Sequence, residues 1–272
     1  MGKKPRNRCR EFGHTSYGTP KLVCPLPLAQ GLKDGGNMWL VLCHTNDLNA
    51  LWAYQGLQAR GLVPLELVSA ESLSFSLHWE HRIDTESVSF RITLADGRQV
   101  SSERIFGALN RIQFVPLPHW RRASVPDQEY VQQEMAAFYT SWLFALPGPV
   151  LNPATSSSLS GAWRTPTEWM KLASQAGLGV PVCHNGQVLA PGLTRRETVL
   201  VVHEQVIGDG IPVAHGCQRL GEISRTPLLG IDFEVTPDGS WYFAGASPTP
   251  DLTRGGAQFL DALKSCLEKG LS

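Results

Sequence analysis

The carboxylate of Asp232 is the group in this chain most suggestive of chemistry, because it lies between two apolar residues, Ile231 and Phe233, in the stretch 228–251. This stretch alternates apolar and polar residues on either side of a Pro-Asp-Gly turn at 237–239, the pattern of a β-hairpin. A buried, ionised carboxylate needs a partner, because unpaired burial costs several kcal/mol. Alternatively, Asp232 points to the solvated side of a half-buried hairpin, and the spacing leaves both arrangements open.

A second candidate group is the polar run Asn110–Gln113. The planar guanidinium of Arg111 has the geometry to bind a carboxylate, which makes it the leading candidate for holding an acidic group. It could equally cap a backbone carbonyl or pair with Glu134. A further pair of arginines at 195–196 is typical of a solvated surface.

Cysteine and histidine are adjacent at Cys43-His44, at the end of the apolar run 38–44, where α/β sheets bind ligands. Neighbours on a strand point to opposite faces, which argues against a nucleophile–base pair. The sequence contains no G-x-S-x-G, no Walker loop and no H-x-x-x-H. Hydrolase and zinc-protease chemistry are therefore not indicated.

The elements that must position these groups begin with a βαβ unit. The run 38–44 predicts a strand, Asp47 can cap the helix that follows and Gly61 can end it, and 62–68 predicts a second strand. This order predicts a parallel sheet. Alternating apolar residues within 88–105 predict a hairpin added to that sheet.

The second half predicts helices followed by strands. Aromatic and apolar residues at steps of four in 127–146 indicate core packing, and a capping box with proline at the first helical position begins a helix at Thr165. Short strands are expected at 198–202 and 205–207, then the hairpin, then a final helix over 254–269. The predicted fold class is α/β.

Charge is balanced overall, with 24 Lys and Arg against 24 Asp and Glu. Residues 1–37, however, carry seven basic residues against two acidic ones. We predict a basic, disordered extension there, with Met38 as an alternative start. The six cysteines form no CxxC, and neither a long apolar run nor a signal peptide is present. We therefore expect a cytoplasmic protein without a membrane span or a nucleic-acid partner.

The hairpin motif GIDF, DG-x-WYF and P-x-PD resembles the closing hairpin of the ATP-grasp superfamily, in the branch of glutathione synthetase and the ribosomal-protein glutamate ligases. The runs PVLNP and W-x-KLA-x-x-AGL-x-VP are similar to the approach to the central domain in that family, including members that activate a peptide in microviridin biosynthesis. The resemblance covers roughly 38–268 and is strongest over 127–182 and 228–256. It implies a pre-ATP-grasp-like domain at 38–126 and a reduced ATP-grasp-like domain at 127–272.

The same resemblance implies a role for several residues. Asp232 stands where the family has an aspartate for magnesium, while Gly245 and Ser247 replace the glutamate and asparagine of its second strand. The resemblance also implies that Arg111, with Gln113, Asn152 and Arg164, faces a ligand in the groove between domains.

Two parts of the ligase machinery are missing from the sequence. After Pro181 the family has a Lys-Pro strand, a Gly-rich flap over the phosphates and an acidic hinge, whereas this chain has a loop of fourteen residues, 184–197, before its next strand. After Lys33 only three lysines remain, at 171, 264 and 269. Sites that hold ATP phosphates supply Lys, Arg, Mg²⁺ or backbone N–H groups.

Two functions follow from these observations. The first is a degenerate, non-catalytic member that binds a peptide, small molecule or partner protein in the interdomain groove. The second is an ATP- and Mg²⁺-dependent carboxylate–amine ligase acting through an acyl phosphate, with Asp232 on the metal and Arg111 or Arg164 on the acyl group. The missing residues favour the first.

Overall fold

The computed structural model describes residues 36–120, 122–181, 183–184, 187–188, 195–208 and 210–270. Residues 1–35 of the predicted extension 1–37 therefore lie outside the described residues. The strands are β1 (Met38–Cys43), β2 (Leu65–Ser69), β3 (His78–Ile83), β4 (Val88–Thr93), β5 (Gln99–Ser101), β6 (Ile105–Asn110), β7 (Val150–Leu151), β8 (Cys183–His184), β9 (Gln187–Val188), β10 (Arg195–Val202), β11 (Gln205–Ile207), β12 (Leu228–Val235) and β13 (Trp241–Ser247). The α-helices are α1 (Leu48–Ala59), α2 (Ala70–Ser74), α3 (Val125–Phe144), α4 (Pro166–Gln175), α5 (Ala214–Ser224) and α6 (Gly256–Lys269).

A four-stranded parallel sheet of order β2-β1-β6-β7 confirms the predicted βαβ unit. Its central strand β1 is almost entirely apolar, as expected for a strand covered on both faces. Leu40 and Leu42 pack with Tyr139 and Trp142 of α3 on one face, whereas Val41 and Cys43 pack on the face that carries α1 and α6. The fourth strand, β7, follows α3 in the chain.

A separate antiparallel sheet of order β3-β4-β5 lies against α3. The predicted hairpin over 88–105 was wrong in its second strand, because β5 ends at Ser101 and Ile105 begins β6 of the parallel sheet. Strand β3 was not predicted, since charged residues on its solvent side obscure the alternation. Trp79 of β3 packs on the rings of Phe138, Tyr139 and Trp142.

The C-terminal sheet is antiparallel with the order β11-β10-β12-β13 and contains the predicted hairpin. Gly239 has a φ of 86°, the positive value that the turn requires. Helices α4 and α5 cover one face through Trp169, Cys217 and Leu220. Helix α5 was not predicted, and β10 begins at Arg195, earlier than expected.

Helix α6 covers one end of the opposite face, where Phe259, Leu260, Leu263 and Leu267 are buried as predicted. It also packs on α1 at close range: a Cβ on Gly56 would lie 2.4 Å from Leu260 Cδ1, so a larger residue at position 56 would displace the Leu260 side chain. One layer of apolar side chains thus joins the parallel sheet to the C-terminal antiparallel sheet.

The helix caps at Asp47 and Thr165 lie where the sequence predicts them. The Asp47 side chain accepts a hydrogen bond from the Ala50 N–H, and Thr165 and Glu168 form the predicted capping box. Helix α3 begins at Val125 because Ser124 is its cap. Of the segment predicted as a loop at 184–197, the structure describes the short pair β8–β9 and the start of β10. None of the described helices is long and apolar enough to span a membrane.

Candidate functional site

Asp232 lies on the same face of the C-terminal sheet as α6, in the part of that face that α6 does not cover, and its side chain is exposed. Of the two arrangements that the spacing left open, the solvated one is correct. A bulge in the pairing of β12 with β13 falls between Asp232 and Phe233, so Asp232 is opposite Gly245 while Phe233 is opposite Phe243. Bulges commonly redirect a side chain near a site.

The hydrogen-bond partner of Asp232 is Thr198, directly opposite it on β10. The Thr198 hydroxyl donates to Asp232 Oδ1 at 2.7 Å and accepts from Arg254 Nη1 at 3.3 Å. Arg254 Nε also lies 3.6 Å from Asp251 Oδ2. Ser247, on the facing strand β13, accepts a hydrogen bond from the Thr249 N–H at 3.1 Å. The open face thus carries a chain of exposed polar contacts.

The residues at this position do not fit a magnesium ion. Mg²⁺ is usually held by one or two carboxylates together with substrate phosphates in near-octahedral geometry. Here one carboxylate and one hydroxyl are present, the opposite residue Gly245 has no side chain, and the guanidinium of Arg254 lies beside the hydroxyl. The described residues contain no group of three or more His, Cys, Asp or Glu that could hold a metal ion.

Arg111 lies at the carboxyl edge of the parallel sheet, immediately after β6, and only 3% of its surface is exposed. Its Nε donates to Asp47 Oδ2 at 2.7 Å, and its Nη1 donates to the Pro250 carbonyl oxygen at 3.1 Å. Arg111 therefore caps a backbone carbonyl oxygen, one of the alternatives that the sequence left open. Its acidic partner is Asp47 and not Glu134. Arg111 connects the cap of α1 to the segment that follows the hairpin.

Asn152 follows β7 and is fully buried, with a φ of 60°. Its side chain bonds both backbone groups of Leu228, the amide donating at 3.0 Å and the oxygen accepting at 3.1 Å, and it also donates to the Pro248 carbonyl oxygen. Asn110 donates to the Asn152 carbonyl oxygen at 3.0 Å. These buried amides join the end of the parallel sheet to the start of β12.

His44 is buried at the same edge, beside Gln113. The N–H of Gln113 donates to His44 Nε2 at 3.1 Å, so this nitrogen carries no proton and Nδ1–H points to Glu71 Oε1 at 3.2 Å. Phe114 stacks on the imidazole with ring centroids 4.0 Å apart. The side chains of Gln113 and Phe114 are both exposed, so this loop presents an amide and an aromatic ring to solvent.

Two ionisable groups near His44 have pKa values that keep each of them in one protonation state at neutral pH. Burial raises the pKa of Glu71, but hydrogen bonds from its own backbone N–H, from Thr45 and from His44 outweigh it, so its net pKa lies below the ordinary value. Burial, with the negative charges of Asp47 and Glu71, raises the pKa of the Cys43 thiol to about 12. A thiol of that kind is protonated at neutral pH, which argues against a nucleophilic cysteine.

Arg164, the remaining candidate, precedes α4 in the chain and contacts the C-terminal end of α5. Its Nη2 donates to the Ser224 carbonyl oxygen at 2.6 Å, and its guanidinium lies 5.0 Å from the centre of the Trp169 ring. Burial lowers its pKa, with Glu168 acting in the opposite sense. Its contacts stabilise the packing of α4 against α5.

Sequence reasoning overlooked Thr198 and Arg254, which surround Asp232. The available signal for Thr198 was that it is the one polar residue of the predicted strand 198–202. Arg254 was assigned only as the start of the last helix, and nothing in its sequence context indicates that it approaches β10. Glu71 was missed for the same reason, because its contact with His44 spans 27 residues of chain.

Neither a family model nor a curated protein matches the sequence. Solved structures do match its fold. The macrocyclase MdnC of Microcystis aeruginosa MRC, bound with precursor peptide MdnA, is 13% identical with a TM-score of 0.65, over 85% of this chain and 99% of that one. A RiPP-associated ATP-grasp ligase of Chryseobacterium gregarium, in complex with ADP and a leader and core peptide, is 10% identical with a TM-score of 0.64, over 86% and 97%.

The ATP-grasp ligase PsnB, complexed with a phosphomimetic variant of its minimal precursor, Mg and ADP, is 15% identical with a TM-score of 0.65, over 85% of this chain and 99% of that one. At these identities the likeness concerns the fold. The described chain, with its parallel sheet followed by an antiparallel sheet that ends in the Asp232 hairpin, has the fold of the ATP-grasp ligases.

Proposed function

We propose that this protein is a non-catalytic binding protein built on the ATP-grasp fold, and that its ligand is a peptide. The observation that carries the proposal is the environment of Asp232. Its carboxylate is exposed, accepts a hydrogen bond from Thr198, and faces a glycine across the hairpin where a second oxygen ligand would be required. A single carboxylate beside an arginine is a poor site for Mg²⁺ with nucleotide phosphates.

The distribution of cations supports the same proposal. Lys264 of α6 pairs with Glu268, and Lys171 lies on α4, the helix that covers the opposite face of the C-terminal sheet. Arg195 pairs with Glu197 at 2.7 Å. Arg254 contacts the Thr198 hydroxyl that donates to Asp232, and its Nε lies 3.6 Å from Asp251 Oδ2. Triphosphate binding calls for several convergent donors.

A peptide suits the loop that follows β6. Phe114 is 56% exposed, and its ring is held in place by the buried imidazole of His44. A fixed aromatic ring next to the amide of Gln113 offers an anchor for an apolar side chain and a hydrogen bond for a main-chain group. In this proposal Gln113 contacts the peptide. Arg111 and Asn152 hold the two sheets in position. The solved structures of similar fold include complexes with precursor peptides.

Thermal unfolding in the presence of nucleotide tests the non-catalytic part. ATP with Mg²⁺ at about millimolar concentration should leave Tm unchanged, because stabilisation depends on ligand concentration relative to Kd. A clear rise in Tm that disappears in Asp232→Ala would overturn the proposal and establish the carboxylate–amine ligase in its place.

Selection from a displayed library of random peptides tests the second part. Bound peptides should share an apolar residue, and their affinity should fall about tenfold or more in Phe114→Ala, since buried aromatic anchors dominate such interfaces. Ile223→Ala provides the matched control, because Ile223 is also exposed but lies on α5, behind the C-terminal sheet. Peptides that bind both variants equally, or no enrichment at all, would contradict a peptide site at this loop.

A further inference from the structure

The outer edge of β3 carries no neighbouring strand among the described residues, because β3 is the first strand of the β3-β4-β5 sheet. An unpaired edge presents backbone donors and acceptors that can pair with another strand. Proteins that remain monomeric protect such edges, for instance with bulges or Pro. Strand β3 contains no proline and pairs with β4 over six residues, with one irregularity before its first residue, where the Leu77 N–H also donates to the Thr93 carbonyl oxygen. The charged side chains on its solvent face, Glu80 and Arg82, have opposite signs, so they can attract a second copy of the strand as well as repel other partners.

The backbone groups at this edge can be assigned from the adjacent turn. The Asp84 N–H donates to the Ser87 carbonyl oxygen at 3.0 Å, which makes these residues a hydrogen-bonded pair. Hydrogen-bonded and non-hydrogen-bonded pairs alternate along an antiparallel ladder. The N–H and C=O groups of Trp79, His81 and Ile83 therefore point away from β4, towards the open edge.

We propose that this edge pairs with the same edge of a second copy of the chain, antiparallel, about a two-fold axis at His81. The three residues with outward groups then pair with one another: His81 with His81, and Trp79 with Ile83 of the second copy in both directions. Two bonds per pair give about six backbone hydrogen bonds. A two-fold contact of this kind is closed, so it forms a dimer and stops there.

The side chains select this register. On the solvent face Glu80 would lie opposite Arg82 of the second copy, and His78 opposite its Asp84. Glu80 and Arg82 already pair within one strand, with Arg82 Nε donating to Glu80 Oε1 at 2.6 Å, so the dimer would gather two such pairs into one alternating cluster. Opposite charges directly across an antiparallel pair are stabilising.

The neighbouring registers are excluded by the same charges. A shift that places Trp79 opposite His81 brings the two copies of Glu80 face to face. A shift that places His81 opposite Ile83 brings the two copies of Arg82 face to face. Like charges directly opposite are destabilising. Registers shifted further pair fewer residues of the edge.

The other face of the edge is apolar and exposed. Ile83 and Phe144 of α3 are each 63% exposed. Phe144 lies one helical turn beyond Ser141, whose hydroxyl contacts His81 Nε2 at 3.0 Å, so it is on the side of α3 that faces β3. In the dimer Ile83 would cover Trp79 of the second copy and extend the aromatic layer below it. Both faces of the strand are thus self-complementary.

Sedimentation velocity of the full chain tests the proposal, with charge variants as probes. The wild type should sediment as a dimer. Arg82→Glu should raise the dissociation constant about tenfold or more, since each mismatched pair occurs twice. Adding Glu80→Arg to that variant restores opposite charges and should restore the dimer. Arg219→Glu, an equal charge reversal on the exposed side of α5, should leave the dimer intact.

A backbone probe gives an independent measurement. Ile83→Pro removes an outward N–H without removing a bond to β4, so it should weaken the dimer while the circular dichroism spectrum is retained. Amide hydrogen exchange should show protection of His81 and Ile83 in the wild type and its loss in Arg82→Glu. A wild type that is monomeric at all concentrations, larger than a dimer, or dimeric in every variant would overturn the proposal.

Discussion

The carboxyl edge of the parallel sheet and the open face of the antiparallel sheet both contain an arginine beside an aspartate, but the two pairs are built differently. Arg111 is buried and donates to Asp47 and to a carbonyl oxygen across the sheet boundary. Arg254 and Asp251 are both about half exposed and 3.6 Å apart. The difference indicates that the first pair stabilises the junction between the two sheets, whereas the second pair contributes little to stability.

The largest expected effect comes from breaking the buried pair. Arg111→Ala should lower the free energy of unfolding by about 3–5 kcal/mol, because the largely buried Asp47 carboxylate loses its cationic partner. Denaturant unfolding measures this. Arg254→Ala is the matched comparison and should change stability by about 0.5 kcal/mol or less, since exposed pairs are screened by solvent. Similar losses in both variants would mean that the two regions do not differ in this way.

Asn152 should show the next largest effect. Asn152→Ala removes a buried amide with three hydrogen bonds and should cost about 2–3 kcal/mol. Asn152→Gly removes the same bonds but accepts a positive φ, so it should be more stable than the alanine variant by about 1 kcal/mol. Equal unfolding midpoints for the two variants would show that the backbone conformation at Asn152 carries no cost.

Converting the open face to the ligase pattern should have a smaller effect. Gly245→Glu with Ser247→Asn restores the family pattern, and a Cβ on Gly245 would meet no atom within 4 Å. The new carboxylate would lie opposite Asp232 and should cost about 1 kcal/mol or less at neutral pH. The cost should vanish as the pH falls and one carboxyl takes up a proton, since the repulsion favours the neutral form.

Magnesium distinguishes the two functions in that variant. We expect Mg²⁺ to recover little of the lost stability, because the phosphate ligands that complete its shell have no cluster of cations to hold them. Full recovery at about millimolar Mg²⁺, accompanied by ATP binding, would show that the site lacks only two ligands and would contradict the non-catalytic proposal.

The smallest expected effect is that of Asp232→Ala. The side chain is exposed and makes one hydrogen bond, to Thr198, so unfolding free energy should change by about 0.5 kcal/mol or less. Thermal unfolding with and without Mg²⁺ measures this, with Thr198→Val as the control that removes the same bond. A larger loss confined to Asp232→Ala would mean that the carboxylate has a partner besides Thr198.

Local elements were predictable where one short pattern decides them. The Asp47 cap, the capping box at Thr165 and the positive φ of Gly239 each depend on residues within a few positions of one another. Strand β3 and helix α5 were missed. In β3 the polar residues of the solvent face alternate with half-buried aromatic and histidine residues, so the apolar signal is weak.

The candidate site was less predictable than the fold. Arg111 was selected for its chemistry and Asn152 through the family resemblance, and both are found at the junction of the two sheets, with their donors used inside the protein. Of the five candidates, Gln113 and Asp232 have exposed side chains. Whether a polar group binds a ligand or the protein's own backbone depends on what packs beside it, and that neighbour is distant in sequence.

The sequence by itself determined the α/β class, the closing hairpin and the absence of a carboxylate at Gly245, because periodicity, turn chemistry and residue identity are local properties. Only the tertiary structure decided that Asp232 is solvated, that Thr198 and Arg254 surround it, and that Arg111 pairs with Asp47. Those contacts join residues between 34 and 64 positions apart in the chain. Burial and charge pairing arise when the sheets pack together, so they can be known only once that packing is known.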